Sequence, residues 1–341
     1  MKRIICVIVL ICLLLPFGIL MSGCDTTSTG NDGRVIVIAS MFPQYDFIRQ
    51  IAGDRVNLSM LISPGAESHS FNPSPQDIIA LSRADLFIYN GGHVEDWVGR
   101  VLYIARDENP DINTASMLQI VRNARRNYYE GNVCICDECS AGFCEDCGEH
   151  HACTNHDCSC AEHPESILDE HVWTSPRNAV HVVRAIADTL SELDPNNADY
   201  FQENALSYIA ELEELGQAFM EVANSGERNT VIFGDRFPVG NLMRDLGLTH
   251  FAAFPGCSAE TGADPATIAA LITRINNENI PVVFHIELSN RTIAHTIAEE
   301  TGTRMLEFHS LHNVSPADFS ARVTYVEVMM RNLENLREAL N

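Results

Sequence analysis

One long amphipathic stretch, Asn196–Ala223, constrains this chain more than any other feature. Its apolar residues Tyr200, Phe201, Leu206, Ile209, Leu212, Leu215, Phe219 and Val222 recur with the period of a single helix. The stretch follows Asp194-Pro195 and separates two runs in which short apolar strands alternate with helical segments. Upstream, strands are expected at Arg34–Ser40, Val56–Ile62 and Asp85–Tyr89, and helices at Pro43–Ala52, Pro75–Ser82, Val94–Arg106 and Pro176–Leu193. Downstream, strands are expected at Thr230–Phe233, Thr249–Phe254, Pro281–His285 and Arg304–Phe308. Helices are expected there at Val239–Leu246, Ala266–Asn276, Arg291–Glu300 and Ala317–Leu340. A helix between successive apolar strands is the pattern of parallel βαβ units. The chain therefore reads as α/β with two lobes, each a mostly parallel sheet flanked by helices, joined by one long rigid helix. The first lobe spans 34–194, the linker helix 195–226 and the second lobe 227–341.

The N-terminus reads as an export signal. Lys2 and Arg3 precede an apolar run, Ile4–Leu20, and Met21-Ser22-Gly23-Cys24 has the form of a lipobox. Residues 1–23 are read as a lipoprotein signal peptide, Cys24 as the lipidated residue, and 24–33 as a polar tether. The competing reading, a plain transmembrane anchor, is opposed by the shortness of the apolar run and the small residues that end it. The net charge is −24, and loss of Lys2 and Arg3 with the leader makes it more negative still. Such a chain repels nucleic acid and attracts cations.

Two histidines stand in distinctive phrases, Pro64-Gly65-Ala66-Glu67-Ser68-His69-Ser70-Phe71-Asn72-Pro73-Ser74-Pro75 and Asp169-Glu170-His171-Val172-Trp173-Thr174-Ser175-Pro176. A third, His309, ends a strand-like run far downstream. Imidazoles from distant parts of a chain that meet in one cleft are what a transition-metal site needs.

The P-G-A-x-x-H-x-F-x-P-x-P phrase, the D-x-H-x-W-x-S-P phrase and the lobe–helix–lobe order resemble the zinc/manganese solute-binding lipoproteins of ABC transporters, the cluster A-I metal-binding proteins. The resemblance covers almost the whole chain after the leader. It implies a metal site in the cleft between the lobes and assigns His69 and His171 as ligands. The third ligand of the family comes from a strand-to-helix turn of the second lobe. Here that turn reads Phe233-Gly234-Asp235-Arg236, and the ligand position falls on Arg236, which binds no cation. Asp235 or Glu287 is expected to substitute, although Glu287 has a second possible role, orienting an imidazole. The fourth position falls on His309, with His312 nearby. Three imidazoles and a carboxylate favour zinc, with manganese as the runner-up because it prefers more oxygen donors.

Residues 127–170 interrupt the first lobe. Cys134, Cys136, Cys139, Cys144, Cys147, Cys153, Cys158 and Cys160 lie there with His150, His151, His156 and His163, and no Lys or Arg occurs between Arg126 and Arg177. The two C-x-x-C pairs have the spacing of metal knuckles. Three readings stand: a metal-collecting loop of thiolates and imidazoles, a disulfide-stapled element permitted by export, and an iron–sulfur site whose usual spacings do not fit.

The function expected is the extracytoplasmic, lipid-anchored metal-binding subunit of an ABC importer for zinc, not an enzyme. A permease and an ATPase are its partners, the membrane is reached through the anchor, nucleic acid plays no part, and the protein is a monomer. The alternatives are a manganese-specific binder, a surface adhesin or metal-storage lipoprotein, and a zinc hydrolase. The hydrolase is opposed by the lack of H-E-x-x-H and of a general base beside a ligand pair.

Overall fold

Two four-stranded sheets of identical strand order carry the molecule. The computed structural model describes residues 33–129, 169–254 and 263–341. The leader, the tether up to residue 32 with Cys24, Cys257 and all eight cysteines and four histidines of the insert lie outside the described residues. Among the described residues no helix is long and apolar enough to cross a membrane.

The first sheet comprises β1 (Val35–Ala39), β2 (Val56–Met60), β3 (Leu86–Tyr89) and β4 (Asn113–Ser116), in the order β2-β1-β3-β4. The second comprises β5 (Thr230–Phe233), β6 (Thr249–Ala252), β7 (Val282–His285) and β8 (Arg304–Glu307), in the order β6-β5-β7-β8. Every pairing is parallel, as the βαβ reading requires. In such sheets, the loops leaving the carboxyl ends of the strands form the ligand crevice.

In the first lobe the helices are α1 (Phe42–Ala52), α2 (Pro75–Leu81), α3 (Val98–Glu108), α4 (Met117–Tyr129) and α5 (Pro176–Leu193). The long helix is α6 (Ala198–Ser225), preceded by a short 3₁₀ turn at Pro195–Asn197. The second lobe adds α7 (Gly240–Leu246), α8 (Pro265–Glu278), α9 (Thr292–Thr301), α10 (Pro316–Ser320) and α11 (Tyr325–Leu340). Local chemistry sets the starts. Ser74 and Thr324 form capping boxes with Asp77 and Glu327, and Ser175 caps α5 ahead of Pro176.

Three expectations are corrected. The single terminal helix is broken into α10 and α11, because Arg322 adopts a left-handed φ of 59° and Thr324 starts a new cap. β4 and α4 were not anticipated; β4 is Asn-Thr-Ala-Ser, too short and polar to signal a strand, and its pairing with β3 makes it one. Leu206 on α6 is 64% exposed, while Ala205 and Tyr208 are buried in its stead. The α6 stripe follows the turn of the helix, and Leu206 falls just beyond its edge.

One hydrophobic core runs without interruption through both lobes. Val37, Phe47 and Ile88 of the first lobe, Leu212 and Phe219 of α6, and Phe233, Phe284 and Leu336 of the second belong to it. Smaller cores lie under the outer helices of each lobe. Buried polar bonds then stitch the lobes. Asp46 on α1 accepts from the Tyr325 N–H at 2.6 Å, the Tyr325 hydroxyl donates to the Trp173 carbonyl at 2.7 Å, and Trp173 Nε1 donates to the Ser310 carbonyl at 2.8 Å. Each of these bonds passes from one lobe to the other. Asp46, almost fully buried, would ordinarily be forced neutral by desolvation; that effect leaves its carboxyl above the usual range despite the Arg49 charge beside it. Arg49 itself reaches across to the Val323 carbonyl at 2.8 Å.

Candidate metal centre

His69, Arg236, Glu287 and His312 all stand on loops that leave the carboxyl ends of strands β2, β5, β7 and β8. His171 arrives differently, on the short segment that leads into α5. The structure brings three imidazoles together: one nitrogen each from His69, His171 and His312, all within 4.8 Å of one another. The His312 ring centroid lies 4.8 Å from that of His171 and 5.3 Å from that of His69. His171 and His312 are buried and His69 is exposed.

His171 is held before any ion arrives. Its Nδ1–H donates to Asp169 Oδ1 at 2.5 Å, which leaves Nε2 as the nitrogen that could take an ion. Asp169 also accepts from the His171 N–H at 3.1 Å and from the Gly240 N–H at 3.1 Å, at the start of α7 in the other lobe. Burial pushes the Asp169 carboxyl up, but the hydrogen bonds and charge of His171 and the Gly240 N–H outweigh it and hold the carboxyl below its ordinary value. Asn241 Nδ2 fixes the same segment by donating to the carbonyls of Asp169 and His171.

His312 is oriented by a second relay. The Ser310 hydroxyl donates to Glu287 Oε1 at 2.5 Å, so its oxygen accepts from His312 Nδ1–H at 2.6 Å and Nε2 is again presented. Glu287 Oε2 accepts from the Ser310 N–H at 2.6 Å. The neighbouring Asn313 ties this loop to the His69 loop, its Nδ2 donating to the Ser63 and Ala66 carbonyls at 2.7 and 2.9 Å. The Gly65 N–H adds a bond to the Val314 carbonyl at 2.8 Å. Gly65 has φ +82°, and a Cβ there would stand 3.0 Å from Pro316 Cδ, so both backbone twist and close approach ask for glycine.

His309, expected as a ligand, is not in the group. Its Nδ1 accepts from the Leu311 N–H at 3.0 Å, and its backbone is clasped by Asn332 through bonds of 2.7 and 2.8 Å. Leu311, at φ 62°, turns the chain left-handed, so that His312 takes the place beside His69 and His171. Asp235 is also outside the group; it accepts from the Arg236 N–H at 2.8 Å and the Ile286 N–H at 3.3 Å and so shapes its own loop. Glu287 lines a cavity of about 10 Å³ together with Glu67, His69, Arg236 and His312, room for about one water or ion.

Two imidazoles engaged through Nδ1, and a third that is exposed, form a nitrogen-rich donor set suited to a borderline divalent ion. A family model described as zinc-uptake complex component A, periplasmic (ZnuA), matches residues 37–339. The chain belongs to this family. The high-affinity zinc uptake system protein ZnuA of Bacillus subtilis is 25% identical to it over 328 residues, with 94% of each chain covered. The zinc-binding lipoprotein AdcA of Streptococcus pneumoniae R6 is 26% identical over 308 residues, covering 90% of this chain and 56% of AdcA. This chain thus spans little more than half the length of the AdcA relatives it matches. Among solved structures, the Zn(II)-bound ZnuA-like domain of S. pneumoniae AdcA has TM-score 0.67 at 24% identity, over 90% of this chain and 99% of that domain. The metal-dependent lipoprotein YcdH of B. subtilis has TM-score 0.68 at 24% identity, over 90% and 100%. The likeness of these two structures is one of fold: two parallel sheets, a long helix and a cleft between lobes.

Proposed function

We propose that His69, His171 and His312 capture a zinc ion as the cargo of an ABC importer, for which this chain is the extracytoplasmic solute-binding subunit. The observation that carries the reading is the convergence of three ligating nitrogens within 4.8 Å from two lobes and three separate loops. Zinc takes nitrogen donors in tetrahedral array, and a nitrogen-rich set of this kind disfavours manganese, which ranks lowest in affinity among the divalent first-row metals. The action is capture and release, with no covalent chemistry. A membrane permease and its ATPase receive the ion. Glu287 serves His312 through Ser310, keeping the imidazole in the tautomer that binds.

Competition titration with zinc tests the site. His312→Ala is expected to weaken binding by more than about a hundredfold and His309→Ala by less than about tenfold, since losing a ligand outweighs losing an outer contact. Equal losses would put the ion elsewhere.

The finer points of the reading rest on sequence. Cys24 is proposed as the lipid-bearing residue, checked by the intact mass of protein extracted from membranes. The protein is proposed to act as a monomer, checked by light scattering. The Cys/His-rich insert is proposed to collect additional zinc when its thiols are reduced, so that zinc per chain exceeds one and falls to about one on deletion of residues 127–168. Paired thiols in protein taken directly from cells, with no zinc gained on reduction, would make the insert a disulfide element instead.

A further inference from the structure

Arg236 is out of place in a cation site. It is 11% exposed, lines the same small cavity as His69 and His312, and carries a permanent positive charge toward the position a dication would take. Two carboxylates face it. Glu67, two residues before His69 on the same loop, receives Nη1 at Oε1 and Nη2 at Oε2, each at 3.5 Å, in the parallel arrangement a guanidinium fork makes. Asp235 Oδ1 lies 4.0 Å from Arg236 Nε. Glu67 comes from the first lobe and Arg236 from the second, so the pair also crosses the mouth of the cleft.

Glu67 is otherwise well placed to serve the ion itself. It lines the cavity, it is next but one to a histidine, and a carboxylate is the hard oxygen donor that manganese, but not zinc, requires in number. A carboxylate paired with a guanidinium, even at this longer ion-pair distance, is a poorer ligand, because coordination would draw it away from that charge. We propose that Arg236 is the specificity-determining residue of this site: it pairs with Glu67 and keeps that carboxylate off the ion, leaving a donor set of imidazoles that discriminates zinc from manganese. The inference rests on the three-histidine reading of the site, and its test separates the two.

Zinc and manganese affinities are measured for wild type, Arg236→Gln, Glu67→Gln and the double variant, with thermal melts to establish folding. Arg236→Gln is expected to raise manganese affinity on the order of tenfold while zinc affinity changes less than about threefold, because a fourth, oxygen ligand helps the metal that lacked it most. Adding Glu67→Gln to that variant removes the gain. Glu67→Gln alone is expected to lower zinc and manganese affinity in parallel and by less than about tenfold, because it bares the Arg236 charge to the site without removing a ligand. A parallel rise for both metals would reduce Arg236 to a charge effect and overturn the proposal. A large zinc loss in Glu67→Gln alone would make Glu67 a ligand and overturn it as well, and this second readout stands even if Arg236→Gln fails to fold. Absence of zinc binding in the wild type would instead defeat the three-histidine reading.

Discussion

The two histidines of the first lobe are held in opposite ways. His171 is buried, its imidazole fixed by Asp169, and Asp169 is itself anchored on the other lobe at Gly240. His69 is exposed, on a loop tied to the second lobe by backbone atoms of Ser63, Gly65 and Ala66 and by the Glu67–Arg236 ion pair. The difference separates two tasks. On the proposed reading, His171 and His312 form a pair oriented in advance by their hydrogen bonds, and His69 completes the site from the solvent side. Preorganisation of a ligand raises affinity by reducing the entropy lost on binding, so the fixed arm should matter more than the closing arm.

Substitution is the most direct way to break this comparison. His171→Ala is expected to cost more than about a hundredfold in zinc affinity and His69→Ala more than about tenfold but less than His171→Ala. Similar losses for both would erase the distinction between the arms. Next in size is Asp169→Ala, expected to weaken zinc by about tenfold, because His171 then loses both its fixed tautomer and its orientation. Acid competes with the ion for imidazole nitrogen, so zinc affinity should fall as the pH is lowered. A titration flat between pH 5 and 8 would point to carboxylates instead.

The smallest effect concerns what supports the fixed arm from beneath. Glu95 is buried at the base of the loop that holds Glu170, and it accepts from the Gly91 N–H at 2.7 Å. Desolvation pushes its carboxyl up to about 7 against hydrogen bonds from Ser40 and the loop backbone. The folded state therefore holds this proton more tightly than the unfolded chain. The resulting contribution to stability is complete below the ordinary carboxylate range and is lost as the pH rises through about 7. Melting temperature should accordingly decline between about pH 4.5 and 7 in the wild type, where the unfolded chain has released the proton that the folded state still holds, and decline less in Glu95→Gln. Identical slopes would show that Glu95 does not titrate in this range.

How much of this was legible in the sequence follows from which forces act locally. The α6 stripe, the Pro-led helix starts and most apolar strands depend on neighbours in the chain, and these elements lie within a few residues of expectation. β4 depends on β3 for its existence, and its polar residues carried no signal. His69 and His171 sit in phrases of fixed spacing, whereas the choice between His309 and His312 turned on one left-handed residue, Leu311, and on the grip of Asn332 on His309. The pairing of Arg236 with Glu67 joins residues 169 positions apart and was beyond any local pattern.

The chain contains two tryptophans, and each is built into a different arm. Trp173 is fully buried, with its ring edge-on to both His171 and His312 at centroid distances of 5.4 and 5.1 Å. Trp97 stacks edgewise on Phe71, two residues beyond His69, at 5.2 Å. The protein thus carries one fluorophore against the fixed imidazoles and another behind the closing loop. Arrival of an ion changes the electronic surroundings of the first directly and of the second only as the loop settles. Emission from Trp97→Phe and Trp173→Phe variants, followed after rapid mixing with zinc, would then resolve in time which half of the site meets the ion first.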